Sequence, residues 1–152
     1  MPRIVREAEA TWEGSVARGS GTLTAASSGA FRALPVTIAS RIGDPEGKTS
    51  PEELLAAAHA GCFITSLGSE LSRVGAPASA LTAHCAITMD EVEGQGHQIV
   101  GSAVVATAVV ESVTAETFDA AVAAADEGCP FSSLLRRAGA DVSVTATWEG
   151  GT

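Results

Sequence analysis

Two thiols, and the ionisable side chains near one of them, are the residues in this sequence best suited to chemistry. Cys62 lies in SPEELLAAAHAGCF, residues 50–63, one helical turn after His59 and ten residues after Glu52; the preceding loop is flanked by Arg41 and Lys48. Cys129 lies in Gly128-Cys129-Pro130. A thiolate is a strong nucleophile, but an ordinary cysteine with a pKa of about 8.5 is only a few per cent thiolate at neutral pH. Bringing that pKa to about 6.5 takes about 2.7 kcal/mol of preferential stabilisation of the anion, within reach of one partly desolvated arginine. Cys129 has a different source of help. As the N-cap of a helix opened by Pro130 it faces unpaired amides and the positive end of the helix dipole. Each thiol also has a structural reading: Cys62 as a buried residue in an alanine-rich helix, Cys129 as filler in a chain reversal. Cys85 falls in phase with Leu81, Ala83, Ile87 and Met89 and reads as core packing, where free cysteine behaves as a small hydrophobe.

The elements that must carry these residues follow from patterning. Residues 4–16 alternate, with Ala8, Ala10, Trp12, Gly14 and Val16 on one side, the pattern of a half-buried strand. RGSGTLTAASSGAF marks turns between short strands, and ALPVTIASR, residues 33–41, carries enough β-branched residues for another. Gly43 to Gly47 form a loop. A long helix then starts with Ser50 as N-cap, Pro51 at the first helical position and Glu53 closing a capping box, and runs to about Arg73 with Gly75 as the stop. LTAHCAITMDEV and QIVGSAVVATAVVE form a hairpin through Gly94 and Gly96. The second strand is apolar on both faces, which predicts a central strand covered on both sides. A helix from near Thr114 to Gly128 places Phe118, Ala121, Val122 and Ala125 on one stripe. A short helix follows from Pro130 to near Gly139, and DVSVTATW is the last strand. Strands grouped at both ends around helices predict an α+β fold rather than a parallel βαβ array.

Composition excludes several functions. The 152 residues suit one domain, 1–152. A formal charge of −9 with nine scattered basic residues argues against nucleic acid or an anionic membrane as partner. MPRIVREAEATWEG lacks the apolar core of a signal peptide and no window is expected to span a membrane, so a cytoplasmic location is expected. Three widely spaced cysteines do not suggest the disulfide framework of a small secreted protein.

AxWEG near the start, PEELLAAAHAGCF in the middle and GCPFSSLL towards the end together resemble the OsmC family, peroxiredoxin-like hydroperoxide reductases whose sister branch comprises the organic hydroperoxide resistance proteins. The resemblance covers nearly the whole chain, with two cysteine motifs in the right order about 67 residues apart. It implies an OsmC-like fold with antiparallel sheets wrapped around long central helices, in an intertwined homodimer with two active sites at the subunit interface. It further implies Cys62 as the peroxidatic thiol, Cys129 as the resolving thiol and Glu52 as the carboxylate orienting an activating arginine. Arg41 resembles that arginine of the OsmC branch, and Arg18, in VARGSG, is the competitor from the sister branch. His59 also fits the OsmC branch. The implied partners are an organic hydroperoxide, an external dithiol and a second copy of the chain; no cofactor or metal is implied.

Ten residues of helix rise about 15 Å and leave Glu52 and Cys62 about 80° apart around the axis, so the two cannot meet within one straight helix. If both serve one substrate, Glu52 must reach the Cys62 of another copy, as antiparallel helices crossing near Ala57 allow. Phe63, Ile64, Phe131 and Leu134 would favour an alkyl peroxide, or are simply core. His84 and His97 read as surface residues; Arg136 and Arg137 complement the end of the short helix, and either could approach Cys129. Two rival functions share these residues. One is a zinc or ligand-binding module using His59, Cys62 and Cys129, which lacks a clear fourth ligand. The other is an OsmC-like redox sensor that keeps both thiols without turnover.

Overall fold

The computed structural model describes residues 2–150. The chain divides into two compact units, Met1–Pro51 and Glu52–Thr152. The first unit is a small antiparallel sheet, β1 (Glu9–Glu13), β2 (Ser20–Thr24) and β3 (Leu34–Val36), in that order, followed by a one-turn helix α1 (Ile38–Ile42). Trp12 pairs in register with Gly21, and its indole lies over that glycine. A Cβ at Gly21 would stand 2.6 Å from the ring, so the close approach requires glycine there.

Two expectations change in this unit. The strand expected over residues 4–16 shrinks to five residues, all exposed, with Trp12 at 38%. Within a unit this small, too little sheet covers β1 to make it half-buried. The strand expected over residues 33–41 ends at Val36. Thr37 accepts from the Ser40 amide at 3.0 Å while the Ser40 hydroxyl serves the Thr37 amide at 3.3 Å, a reciprocal capping box that turns the chain into α1. Local side-chain capping outweighs β propensity, and Arg41 sits on a helix, in its last turn.

The second unit packs three helices on a three-stranded sheet: α2 (Pro51–Arg73), β4 (Ala78–Val92), β5 (Gly96–Val110), α3 (Ala115–Gly128), α4 (Pro130–Arg137) and β6 (Asp141–Glu149). The β4–β5 hairpin is antiparallel and turns through Gly94 and Gly96, both at positive φ (75° and 76°). β5 is central, as expected, between β4 and β6. The β5–β6 pair is parallel, which departs from all-antiparallel sheets. The connection between them carries two helices, enough chain to return β6 to the same end of the sheet. One face of β5, Val104, Ala106, Ala108 and Val110, is buried with Phe63, Leu67 and Leu71 of α2 and Phe118, Ala121 and Ala125 of α3. Each large apolar side chain so buried contributes about 1.5–3 kcal/mol. The other face of β5 is more open within this unit, with Val105 55% exposed and Thr107 and Val109 half-buried, so this unit by itself does not supply the expected cover on both sides.

The long helix keeps its expected limits, Pro51 to Arg73, and Gly75 at φ 78° ends it. By length and composition α2 is apolar enough to cross a membrane, contrary to the expectation that no segment would be. Its stripe of His59, Phe63, Leu67 and Leu71, all fully buried, marks it as a core helix. The opposite stripe, Ala57, Gly61, Thr65 and Ser69, is exposed and small.

Candidate active site

Cys62 is half-buried on α2, and Cys129 is fully buried as the N-cap of α4. They come from segments distant in sequence, yet Cys62 packs against the core cluster that contains Cys129, and the Cys129 thiol is near enough to raise the Cys62 pKa. Both are unbridged thiols, as is Cys85. Pro130 occupies the first turn of α4 as expected, and the Cys129 side chain makes no capping bond to its own helix.

Burial pushes the Cys62 pKa up, and the neighbouring Cys129 thiol pushes it further; a hydrogen bond from the Phe131 backbone N–H opposes both. On balance this unit favours the thiol over the thiolate at Cys62. The expected activating arginines belong to the other unit. There Arg41, half-buried, lines an apolar groove of about 390 Å³ with Trp12, Val16, Leu23, Val36 and Ile38. Arg18 is exposed in a turn, its amide bonded to Ser15 Oγ at 3.3 Å. Glu52 lies in the first turn of α2.

His59 is fully buried with both ring nitrogens engaged. Its Nδ1 lies 2.7 Å from Ser102 Oγ on β5 and its Nε2 2.8 Å from Ser132 Oγ on α4. Cys85 Sγ completes the cluster, 3.4 Å from Ser102 Oγ and 3.9 Å from His59 Nδ1, so it is not the purely apolar filler expected. Desolvation lowers the His59 pKa; Asp126 opposes that and Arg136 adds to it. The ring is therefore neutral, one nitrogen donating and the other accepting, which satisfies two hydroxyls at once.

With both nitrogens committed, His59 does not join Cys62 and Cys129 in a zinc set, and no group of three or more His, Cys, Asp or Glu suited to a metal occurs among the described residues. Of the two arginines expected near Cys129, Arg136 is held by Asp126 through two hydrogen bonds, 3.2 and 2.5 Å, and also reaches the Val142 carbonyl. Of the four apolar neighbours expected to shape a pocket, Phe63 is core and Leu134 is 59% exposed. Sequence reasoning missed Ser102 and Ser132. The signals were present: Ser102 continues the inward row of Val104, Ala106 and Ala108, and Ser132 follows Cys129 by one helical turn.

These features define an α+β protein in which a long core helix and a short second helix present two facing thiols. The family model for OsmC-like proteins matches residues 43–145. Over 133 residues the chain is 33% identical to peroxiredoxin OsmC of Escherichia coli, covering 88% of this chain and 91% of the relative. Among solved structures it resembles the organic hydroperoxide resistance protein OhrB of Bacillus subtilis (TM-score 0.71, 23% identity, 93% of this chain and 98% of that one). A second, from Legionella pneumophila, is an organic hydroperoxide resistance protein OsmC (TM-score 0.69, 21% identity, 95% and 99%). The chain belongs to the OsmC-like family and has the OsmC fold.

Proposed function

We propose that this protein is a thiol-dependent peroxidase that reduces organic hydroperoxides. The observation that carries the reading is the adjacency of Cys62 and Cys129 across two elements, in a family whose E. coli member is named a peroxiredoxin. The Cys62 thiolate attacks the distal peroxide oxygen; an S–O bond forms, the O–O bond breaks, and the departing alkoxide takes up a proton to leave as the alcohol. Cys129 then attacks the sulfur of the sulfenic acid. An S–S bond forms, the S–O bond breaks, and the hydroxyl leaves with the thiol proton as water. An external dithiol reduces the disulfide by two exchanges and is itself oxidised.

Arg41 is the proposed source of the positive charge that ionises Cys62 and steadies the leaving oxygen, and Glu52 orients its guanidinium. The apolar lining around Arg41 suits the carbon chain of an alkyl peroxide. The subunit, read as a single OsmC-like domain, acts as a cytoplasmic homodimer with sites drawn from both copies. The small, exposed stripe of α2 suits close approach of a second helix. The testing experiment is dithiol-coupled turnover with cumene or tert-butyl hydroperoxide against hydrogen peroxide. Preference for the organic substrates is expected; absence of turnover with all three overturns the proposal.

A further inference from the structure

We infer that His59 is a positioning residue for disulfide closure, a role that rests on the two-thiol reading above. His59 precedes Cys62 by three residues on α2, so the two side chains leave neighbouring positions of the same helix. Through Nε2 the ring bonds Ser132, which sits in the first turn of α4, the helix that Cys129 caps. Through Nδ1 it bonds Ser102 on the central strand. One buried imidazole thus ties the helix carrying Cys62, the turn carrying Cys129 and the rigid sheet beneath them.

The surroundings fit that role better than proton transfer. Both nitrogens are occupied by hydroxyls rather than by a thiol of the reacting pair, and desolvation keeps the ring neutral. The rest of the α2 stripe, Phe63, Leu67 and Leu71, faces apolar β5 residues. The polar cluster appears where the stripe reaches the level of the thiols. A buried hydrogen bond there restricts the relative motion of two helices at the point where two sulfurs must come within bonding distance.

The test uses the full-length protein and two readouts. One is the rate of Cys62–Cys129 disulfide formation relative to the first oxidation of Cys62, followed by rapid quench and mass spectrometry. The other is the effective concentration of the two thiols in a glutathione redox buffer. Ser132→Ala removes the link to α4 with little change of volume, so folding is not at risk. Relative to wild type it should lower both quantities about tenfold, the order expected for one buried hydrogen bond, and raise the over-oxidised fraction. His59→Leu should do the same, whereas His59→Gln, whose amide reaches the position of Nε2, should recover most of the loss. Closure rates and effective concentrations equal to wild type in Ser132→Ala overturn the inference alone. If wild type forms no Cys62–Cys129 disulfide with peroxide or with glutathione, the inference and the two-thiol reading fall together.

Discussion

Glu52 and Cys62 stand on one unbroken helix, α2, with about 15 Å of axis and about 80° of rotation between them. A carboxylate and a thiol so separated cannot share a substrate unless the carboxylate comes from another copy. Mixing Cys62→Ser and Glu52→Gln proteins under subunit exchange should therefore restore activity. Each mixed dimer rebuilds one intact site from the unaltered Glu52 of one chain and the unaltered Cys62 of the other, about half the sites of a wild-type dimer. Activity no greater than the sum of the two parents sinks the shared site.

The proposed mechanism gives the two thiols unequal roles. Cys62→Ser should reduce peroxide turnover to background. Cys129→Ser should consume about one peroxide per subunit and then stall, with Cys62 passing to sulfinic acid. Intact-mass measurement after stoichiometric peroxide distinguishes the two, and equal residual turnover in both variants contradicts the assignment.

Burial and the Cys129 thiol raise the Cys62 pKa, so the proposed mechanism calls for a cation to ionise it. Arg41→Gln should slow iodoacetamide alkylation of Cys62 at pH 7 about tenfold or more, the effect of raising its pKa by about one. Arg18→Gln should change it far less. The reverse ranking would transfer the activating role to Arg18.

Burial lowers the His59 pKa, with Arg136 assisting and Asp126 opposing. A base whose folded pKa lies below its unfolded value binds protons more readily when unfolded. Its contribution to stability is present above the ordinary histidine value of about 6.5 and is lost as the pH falls from there towards the folded value, by at most about 1.4 kcal/mol per pH unit. Urea unfolding at pH 7.5, 6 and 5 should show that decline in wild type and a shallower one in His59→Gln. Parallel curves would mean that His59 titrates alike in both states.

The legible parts of this fold are those with local causes. Pro51 and Gly75 bracket α2, Thr114 and Gly128 bracket α3, Cys129-Pro130 opens α4, and Gly94 and Gly96 turn the hairpin. Each is a backbone preference of a few neighbouring residues, so sequence alone determined it. Sequence also singled out Cys62 and Cys129, because a thiol after a histidine turn and a thiol before a proline are recognisable without neighbours in space. The capping box at Thr37 and Ser40 was just as local, but the β-branched pattern around it masked it. Only the tertiary structure decided what meets what. It set β6 parallel to β5, brought Cys129 to Cys62, and placed Ser102 and Ser132 on the two nitrogens of His59. Those contacts join residues 40 to 73 positions apart, and they form only because the packing of α2 and α3 on β5 fixes the depth at which each side chain meets its partner.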